Sequence, residues 1–364
     1  MNYIHLKRFT FSLLVCTSTI LFAQAPKYSN EFLSVGVGAR ALGMSNAVVA
    51  SVNDVTSGYW NPAGLVHMNS NVQVGLMHSE YFAGIAKYDY GSFAFKIDSS
   101  SAIGFSLIRF GVDNIPNTTE LIDAQGNINY DRITTFSSID YGFLVSYARK
   151  LKIEGLNLGV NAKVVRRTVG DFGGAWGFGA DAGIQYNKNK WLFGLMARDI
   201  TTTFNAWSYT LSDQTKNTFA LTGNEIPENS LEITLPKLIL GVSKKFSFFT
   251  NRFSVAPEAN LMFTFDGKRN VVIKSDFTSI DPTLGLEMDY QNLIFFRAGI
   301  GNIQQTTDVT NKSVTTFQPN IGAGVKIKGV TLDYALTDIG DRSIALYSNV
   351  FSLKIDINKR VNKT

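Results

Sequence analysis

Few side chains in this sequence could carry metal or nucleophilic chemistry. The chain has 364 residues with three histidines and one cysteine. His5 and Cys16 fall in an apolar N-terminal stretch, leaving His67 and His78 in the body of the chain. Neither has a cysteine or a carboxylate cluster beside it, so neither a metal site nor a histidine-based catalytic site is expected. No G-x-S-x-G, H-E-x-x-H or P-loop pattern occurs. Gly36-Val37-Gly38-Ala39-Arg40-Ala41 does fit G-x-G-x-x-A, whose chemistry would be pyrophosphate binding. That chemistry needs a surrounding βαβ unit, and the neighbouring residues supply none. No catalytic, cofactor-binding or metal-ligating residue is therefore assigned. What remains is a set of isolated charges, Arg40, Asp140, Lys163, Asp181, Glu258, Arg297 and Asp333, set among small and apolar residues. Such groups suit ion pairing inside a partly dry interior rather than covalent chemistry.

The elements that must position these charges have a period of two. From residue 71 onward apolar residues recur at alternate positions. In residues 176–186, Trp176, Phe178, Ala180, Ala182, Ile184 and Tyr186 alternate with Gly177, Gly179, Asp181, Gly183 and Gln185. Runs of this kind place one face in an apolar medium and the other among polar or tiny groups. Fourteen candidate strands result: 72–76, 92–97, 103–107, 141–147, 158–164, 176–186, 191–200, 238–242, 253–265, 283–290, 294–300, 317–327, 330–334 and 351–357. At Ile108-Arg109-Phe110 the alternation changes parity, the mark of a bulge or a strand end.

Hydrophobic content is 45%, charge only 17%, and the chain carries 31 Gly, 27 Phe and 14 Tyr. This composition argues against disorder. No apolar run in the body of the chain is long enough for a transmembrane helix, but alternate apolar positions can line a membrane-spanning barrel. Residues 1–23 read as a secretory signal peptide: Lys7 and Arg8 ahead of an apolar core, then a small-residue cleavage site after Ala23. Its removal takes both the cysteine and two positive charges from the chain, so the formal charge of +5 becomes +3. Disulfides are thereby excluded, and the residual charge is too small to imply a nucleic-acid partner.

Connections give independent information. Short turns near 98–101, 150–155, 187–190, 246–252, 290–292 and 328–329 alternate with longer loops at 112–136, 165–175, 201–230, 267–281, 301–316 and 337–344. Outer-membrane barrels have this asymmetry, with short periplasmic turns and longer external loops. An exported β-sandwich or propeller would share the strand spacing but has no need of the short-long order. Trp176, Trp191, Tyr141, Tyr147, Tyr186 and Tyr347 fall near predicted strand ends, as an interfacial aromatic girdle requires. The expected fold is all-β: a 14-stranded antiparallel transmembrane barrel in the outer membrane, in contact with its lipid.

Residues 32–65 do not alternate. They are rich in small residues, with expected helical turns at 39–50 and a tight turn at Asn61-Pro62-Ala63-Gly64. A compact segment ahead of so many strands is expected to plug the lumen. Gly38-Ala39-Arg40-Ala41-Leu42-Gly43-Met44, followed by Tyr59-Trp60-Asn61-Pro62-Ala63-Gly64-Leu65, resembles the N-terminal hatch of the PorV/PorQ family, within the wider FadL-like barrels. The resemblance implies a non-enzymatic component of type IX protein secretion in Bacteroidetes, binding translocon, cargo or cell-surface attachment proteins. FadL-like relatives imply the alternative, a channel for hydrophobic compounds with a lipid-like or detergent ligand in the lumen. The Asn-Pro-Ala-Gly-Leu form is closer to the general hatch than to a dedicated PorV sequence.

These readings divide the chain into a signal peptide at 1–23, a hatch at 24–66 and a barrel at 67–364. The hatch motif is Gly38, Arg40, Gly43, Trp60, Asn61, Pro62, Ala63 and Gly64. A guanidinium inside a lumen needs an acceptor, and Asp140, Asp181, Glu258 and Asp333 are the expected partners of Arg40. Asn61 is expected to bond hatch backbone and hold the turn that Pro62 starts.

Overall fold

The computed structural model describes residues 29–122, 126–250, 252–307, 311–339 and 347–358. The signal-peptide reading lies outside the described residues, as do parts of the predicted loops at 112–136, 301–316 and 337–344 and of the predicted turn at 246–252. The described strands form a single antiparallel sheet. Its staves are β1 (Val72–Tyr81), β2 (Ala86–Lys96), β3 (Ser101–Asn117), β4 (Thr134–Lys150), β5 (Leu156–Val169) and β6 (Gly173–Lys188). β7 runs as Trp191–Arg198 and resumes as Thr203–Tyr209; β8 runs as Ser230–Thr234, Lys237–Lys244 and Phe246–Phe248. Then follow β9 (Phe253–Thr264), β10 (Ser279–Tyr290), β11 (Ile294–Thr307), β12 (Ser313–Ile327), β13 (Val330–Thr337) and β14 (Ser348–Ile357). β1 pairs with both β2 and β14, with Leu76 opposite Gly91 and Leu353, so the sheet closes on itself as a 14-stranded barrel. Every predicted strand corresponds to one stave.

Closure satisfies the ladder without exposing an edge, which a lipid environment demands. The alternation sorts the two faces. Phe105, Val145, Val160, Phe178, Leu284, Ile321, Leu332 and Phe351 point outward and stay exposed. Their neighbours Ser106, Ser146, Asn161, Asp181 and Asp333 point inward and are buried. Exposed apolar and buried polar residues invert the order of a water-soluble protein, which identifies the outer surface as lipid-facing. No helix among the described residues is long and apolar enough to cross a membrane. At the short-turn end Trp191 stacks on Phe193, with the Lys244 ammonium 4.6 Å from its ring, and at the other end Arg166 lies over Trp176. Both match the expected girdle.

The structure corrects the sequence reading near Ile108. The β2–β3 register runs unbroken through Ile108, Arg109 and Phe110, and the register shift falls later, between Val112 and Ile115. The strand does not change parity there; the surroundings of its faces change. Arg109 turns outward to Asp89 (3.2 Å), above the apolar belt, while Ile108 turns inward and is fully buried. Several staves consequently run further than their lipid-facing stretch, and the predicted loop at 165–175 shrinks to a tight turn between Val169 and Gly173. The loop predicted at 301–316 shrinks likewise, since β11 runs to Thr307 and β12 starts at Ser313, whereas those at 112–136, 201–230 and 267–281 remain the longer connections; the β7–β8 loop carries the helix α1 (Asp213–Leu221).

Candidate functional site

Residues 29–67 pack inside the barrel as short pieces: 3-10 turns at Glu31–Ser34 and Pro62–His67, and helical turns at Ala39–Gly43 and Ser57–Trp60. None is long enough to be stable alone, so the barrel wall must hold them. Asn61 caps the last piece. Its side-chain oxygen accepts from the Ala63 amide (3.2 Å), and its side-chain nitrogen donates to the carbonyls of Val49 and Ile184, both 3.0 Å away. It thus ties the turn to the hatch, as expected, and also to the wall. Pro62 occupies the first helical position, where its missing N–H costs nothing. A side chain on Gly64 would meet the Val52 carbonyl at 2.3 Å, so the turn closes only with glycine there. Gly38 holds φ +83°, and Gly43 lies against the backbone of Gly322 in the wall. Trp60 donates its indole N–H to the Val37 carbonyl (2.9 Å), and Tyr59 its hydroxyl to that of Leu33 (2.6 Å).

The inward glycines of the wall now have a purpose. A Cβ on Gly159 would stand 2.3 Å from the Ala63 amide nitrogen; on Gly194, 2.4 Å from the Val49 carbonyl; on Gly299, 2.3 Å from the Met44 carbonyl carbon. At these points hatch backbone touches wall backbone, and no side chain fits between them.

Arg40 finds a carboxylate, but none of the four expected. Its guanidinium makes a two-point contact with Glu287 on β10, Nε to Oε2 at 2.8 Å and Nη2 to Oε1 at 3.1 Å. Glu287 lies opposite Arg297 on β11 and accepts from it at 2.7 Å; Arg297 in turn reaches Asp333 at 2.7 Å. Asp333 therefore belongs to the network one step removed. Glu258 holds the hatch through the Ala50 amide (2.8 Å). Asp181 is taken by Lys163 (2.8 Å), which also binds Asp199 (2.7 Å) where β7 is interrupted. Asp140 pairs with Arg167 (2.9 Å). The reason is geometric: Glu287 is on the inner face nearest Arg40, and the weak alternation of β10 hid that face in the sequence. A second hatch ion pair joins Asp54 to Lys354 of β14 (2.6 Å). Burial alone would raise the Asp54 carboxyl, but Lys354 and Arg40 hold it well below the usual carboxylate range. His67 accepts from the amides of Asn157 (2.9 Å) and Asn187 (3.2 Å), and His78 sits on the outer face beside Asp89. No group of three metal-ligating side chains occurs among the described residues.

Where the hatch stands off the wall, a cavity of about 310 Å³ remains. It lies toward the long-loop end, between hatch residues Val35, Leu42, Asn46, Val49 and Trp60 and wall residues of β1 and of β7 to β13. Ile239 and Met262 make its wall apolar; Arg198, Lys237, Asn260 and Asp281 supply polar groups. Arg198 is clamped over the Tyr59 ring (4.5 Å) and donates to the Tyr59 carbonyl (3.1 Å). Lys237 donates to Ser34 (3.0 Å) and Glu31 (3.3 Å). It also borders a smaller cavity of about 90 Å³ in the wall. Lys237 and Thr264 form a β8–β9 pair, and residues 230–234 of β8 pair only with β7.

No family model matches this chain, and no curated protein matches it. Solved structures do. The chain is similar to the CymD monoaromatic hydrocarbon channel, with 16% identity, a TM-score of 0.56, and coverage of 89% of this chain and 98% of that one. It is similar to the Pseudomonas putida toluene transporter TodX, at 13% identity and a TM-score of 0.54, covering 89% and 99% of the two chains. The Ralstonia pickettii toluene transporter TbuX gives 14% identity and a TM-score of 0.51, again with 89% and 99% covered. At these identities the likeness is one of fold. The closed antiparallel barrel, the lipid-facing belt and this fold together define an integral outer-membrane β-barrel protein. Its lumen is occupied by its own N-terminal segment.

Proposed function

We propose that this chain is a non-enzymatic, FadL-like channel carrying small hydrophobic compounds across the outer membrane. The observation that carries this reading is the lumen cavity: its size and largely apolar lining are those of a small-molecule site, and the hatch forms one side of it. The fold shared with channels described as transporting toluene and monoaromatic hydrocarbons supports the same class of cargo. The division into signal peptide (1–23), hatch (24–66) and barrel (67–364) belongs to this proposal, with the hatch motif acting as the closure. The test is uptake of toluene into proteoliposomes. Uptake above that of protein-free vesicles, reduced by Trp60→Ala or by Met262→Arg in the cavity wall, is expected; uptake equal to the protein-free rate would contradict it.

The secretion-partner reading draws on the motif at 38–65 and on one structural feature. Helix α1 in the β7–β8 loop donates from Thr218 to the Thr119 carbonyl in the β3–β4 loop (3.0 Å), and it holds Leu221 exposed at the external end. An ordered external surface of this kind suits a protein partner such as a type IX translocon, cargo or attachment protein. Co-purification in mild detergent separates the two: a stoichiometric partner lost on deletion of residues 213–221 would favour secretion.

A further inference from the structure

Around most of the short-turn rim the outward positions stay apolar to the end of the stave, as at Ile97, Ile294, Ile327, Val330 and Ile357. One sector departs from this. Trp191 of β7 stands opposite Lys188 of β6 on one side and Lys244 of β8 on the other. Residues directly opposite share a face, so one rung presents lysine, tryptophan and lysine outward, just beyond the exposed Phe193 and Leu240. Neighbouring strands lie about 4.8 Å apart, which sets the two lysine backbones about 10 Å from one another. The Lys244 ammonium lies 4.6 Å from the Trp191 ring and 5.3 Å from that of Phe246. Among the described residues no carboxylate pairs with Lys188 or Lys244. Asp289 holds Lys245 on the inner face (3.1 Å), and Asp356 holds Lys326 (2.9 Å). Glu154, beside Lys188 in the β4–β5 turn, is exposed, and Lys150, Lys152 and Lys190 surround it in the same two turns. The adjoining surface is aromatic, with Phe246 and Phe248 outward and Phe249 81% exposed in the β8–β9 turn.

We infer that this rung binds an acidic phospholipid of the inner leaflet, with the phosphate between Lys188 and Lys244 and the acyl chains running over Phe193, Leu240 and Val242. The site is independent of what crosses the lumen. Outer-membrane barrels direct their short turns to the periplasm, which makes the inner leaflet the one at this end. A tryptophan at the end of the apolar belt sits at headgroup depth. Lysine stems lie along apolar surface and carry their ammonium groups to the same depth. Each lysine there adds to the attraction for an anionic head. A zwitterionic head brings a positive group of its own beside two lysines, and loses most of that gain. The two lysines face sideways into the bilayer rather than down into the periplasm, which fits a lipid and not a soluble acidic protein.

The test is native mass spectrometry of the full-length barrel in a neutral detergent, titrated with phosphatidylglycerol and phosphatidylcholine of identical chains. Phosphatidylglycerol should be retained about tenfold more strongly. Lys188→Gln and Lys244→Gln together should bring the two lipids to within about twofold of one another, while Lys188→Arg with Lys244→Arg keeps the preference. Arg149→Gln removes an outward cation from another sector of the same rim and should leave the preference unchanged. The comparison on the unaltered protein stands whether or not the variants fold. Phosphatidylcholine held as firmly as phosphatidylglycerol, or a preference that survives the double glutamine variant, overturns the site. An equal loss in Arg149→Gln overturns it too, by making the preference a matter of net charge. Displacement of the lipid by inorganic phosphate would make the rung a bare anion site and overturn the lipid assignment.

Discussion

The two sides of the hatch are built differently. Along β5 to β7 and β10 to β12 it meets the wall backbone to backbone, at glycines such as Gly159, Gly194 and Gly299, and is locked by Asn61, Glu258 and the Arg40–Glu287 pair. Toward the long-loop end it meets the wall through side chains and leaves about 310 Å³ between them. Small residues therefore make the seal, and larger ones with polar tips make the cavity. The same inward parity that reads as a featureless run of glycines in the sequence is the socket that fixes the plug.

Four experiments test this contrast. The largest effect is expected on the seam. Glu287→Ala leaves the Arg40 guanidinium without its carboxylate in the lumen, and breaking such a buried pair costs about 3 kcal/mol or more; thermal unfolding in detergent should drop accordingly and the leak should rise. Next is the outer face: Val160→Arg places a charge in the lipid belt and should cost about 2–4 kcal/mol near the midplane, read by urea unfolding in lipid vesicles, with no change in cavity binding. Equal costs for arginine at Val160 and at a solvent-facing loop position would contradict the lipid-facing assignment.

A smaller loss, about 1–3 kcal/mol from overpacking, is expected for Gly159→Ala, because its methyl would press on the Ala63 amide. A comparable addition on the cavity side, Val35→Ile, should cost less, and the reverse order would erase the distinction between seal and cavity. The smallest effect is a pH dependence. Burial, with Lys150 and Lys96 nearby, lowers the His67 pKa, so the folded protein holds this imidazole neutral. The unfolded chain then binds the extra proton, and stability is full above the ordinary value of about 6.5 and falls as pH drops below it. Asp54, held far below the carboxylate range, keeps its pairing through the same window. A hatch that loosens between about pH 6.5 and 5 in the native protein but not in His67→Gln is the expected result.

Much of the barrel was legible because lipid imposes a strict rule on one parity: Phe105, Val145, Val160 and Phe178 had to be apolar whatever faced them. The rule stops where the membrane stops. Beyond it, Arg109 and Asp89 face water while Ile108 and Tyr88 face the hatch, so an unbroken strand reads as a change of parity. The hatch motif was visible as a cluster of glycines with Asn61 and Pro62, and the need of Arg40 for a carboxylate followed from its charge. Which carboxylate could not be read, because strand register and barrel curvature decide that, and Glu287 sits on the stave with the faintest alternation. The cavity left no signature at all: its residues come from a hatch and eight staves, far apart in sequence and unremarked singly.

Conductance of the purified barrel in a planar bilayer reads the sealed lumen without intermediaries. The intact protein should be nearly closed to ions, deletion of residues 32–65 should open it, and Glu287→Ala or Arg40→Ala should raise the leak or its fluctuations. An intact barrel that conducts ions freely, with the same conductance after those changes, would contradict a lumen sealed by this hatch.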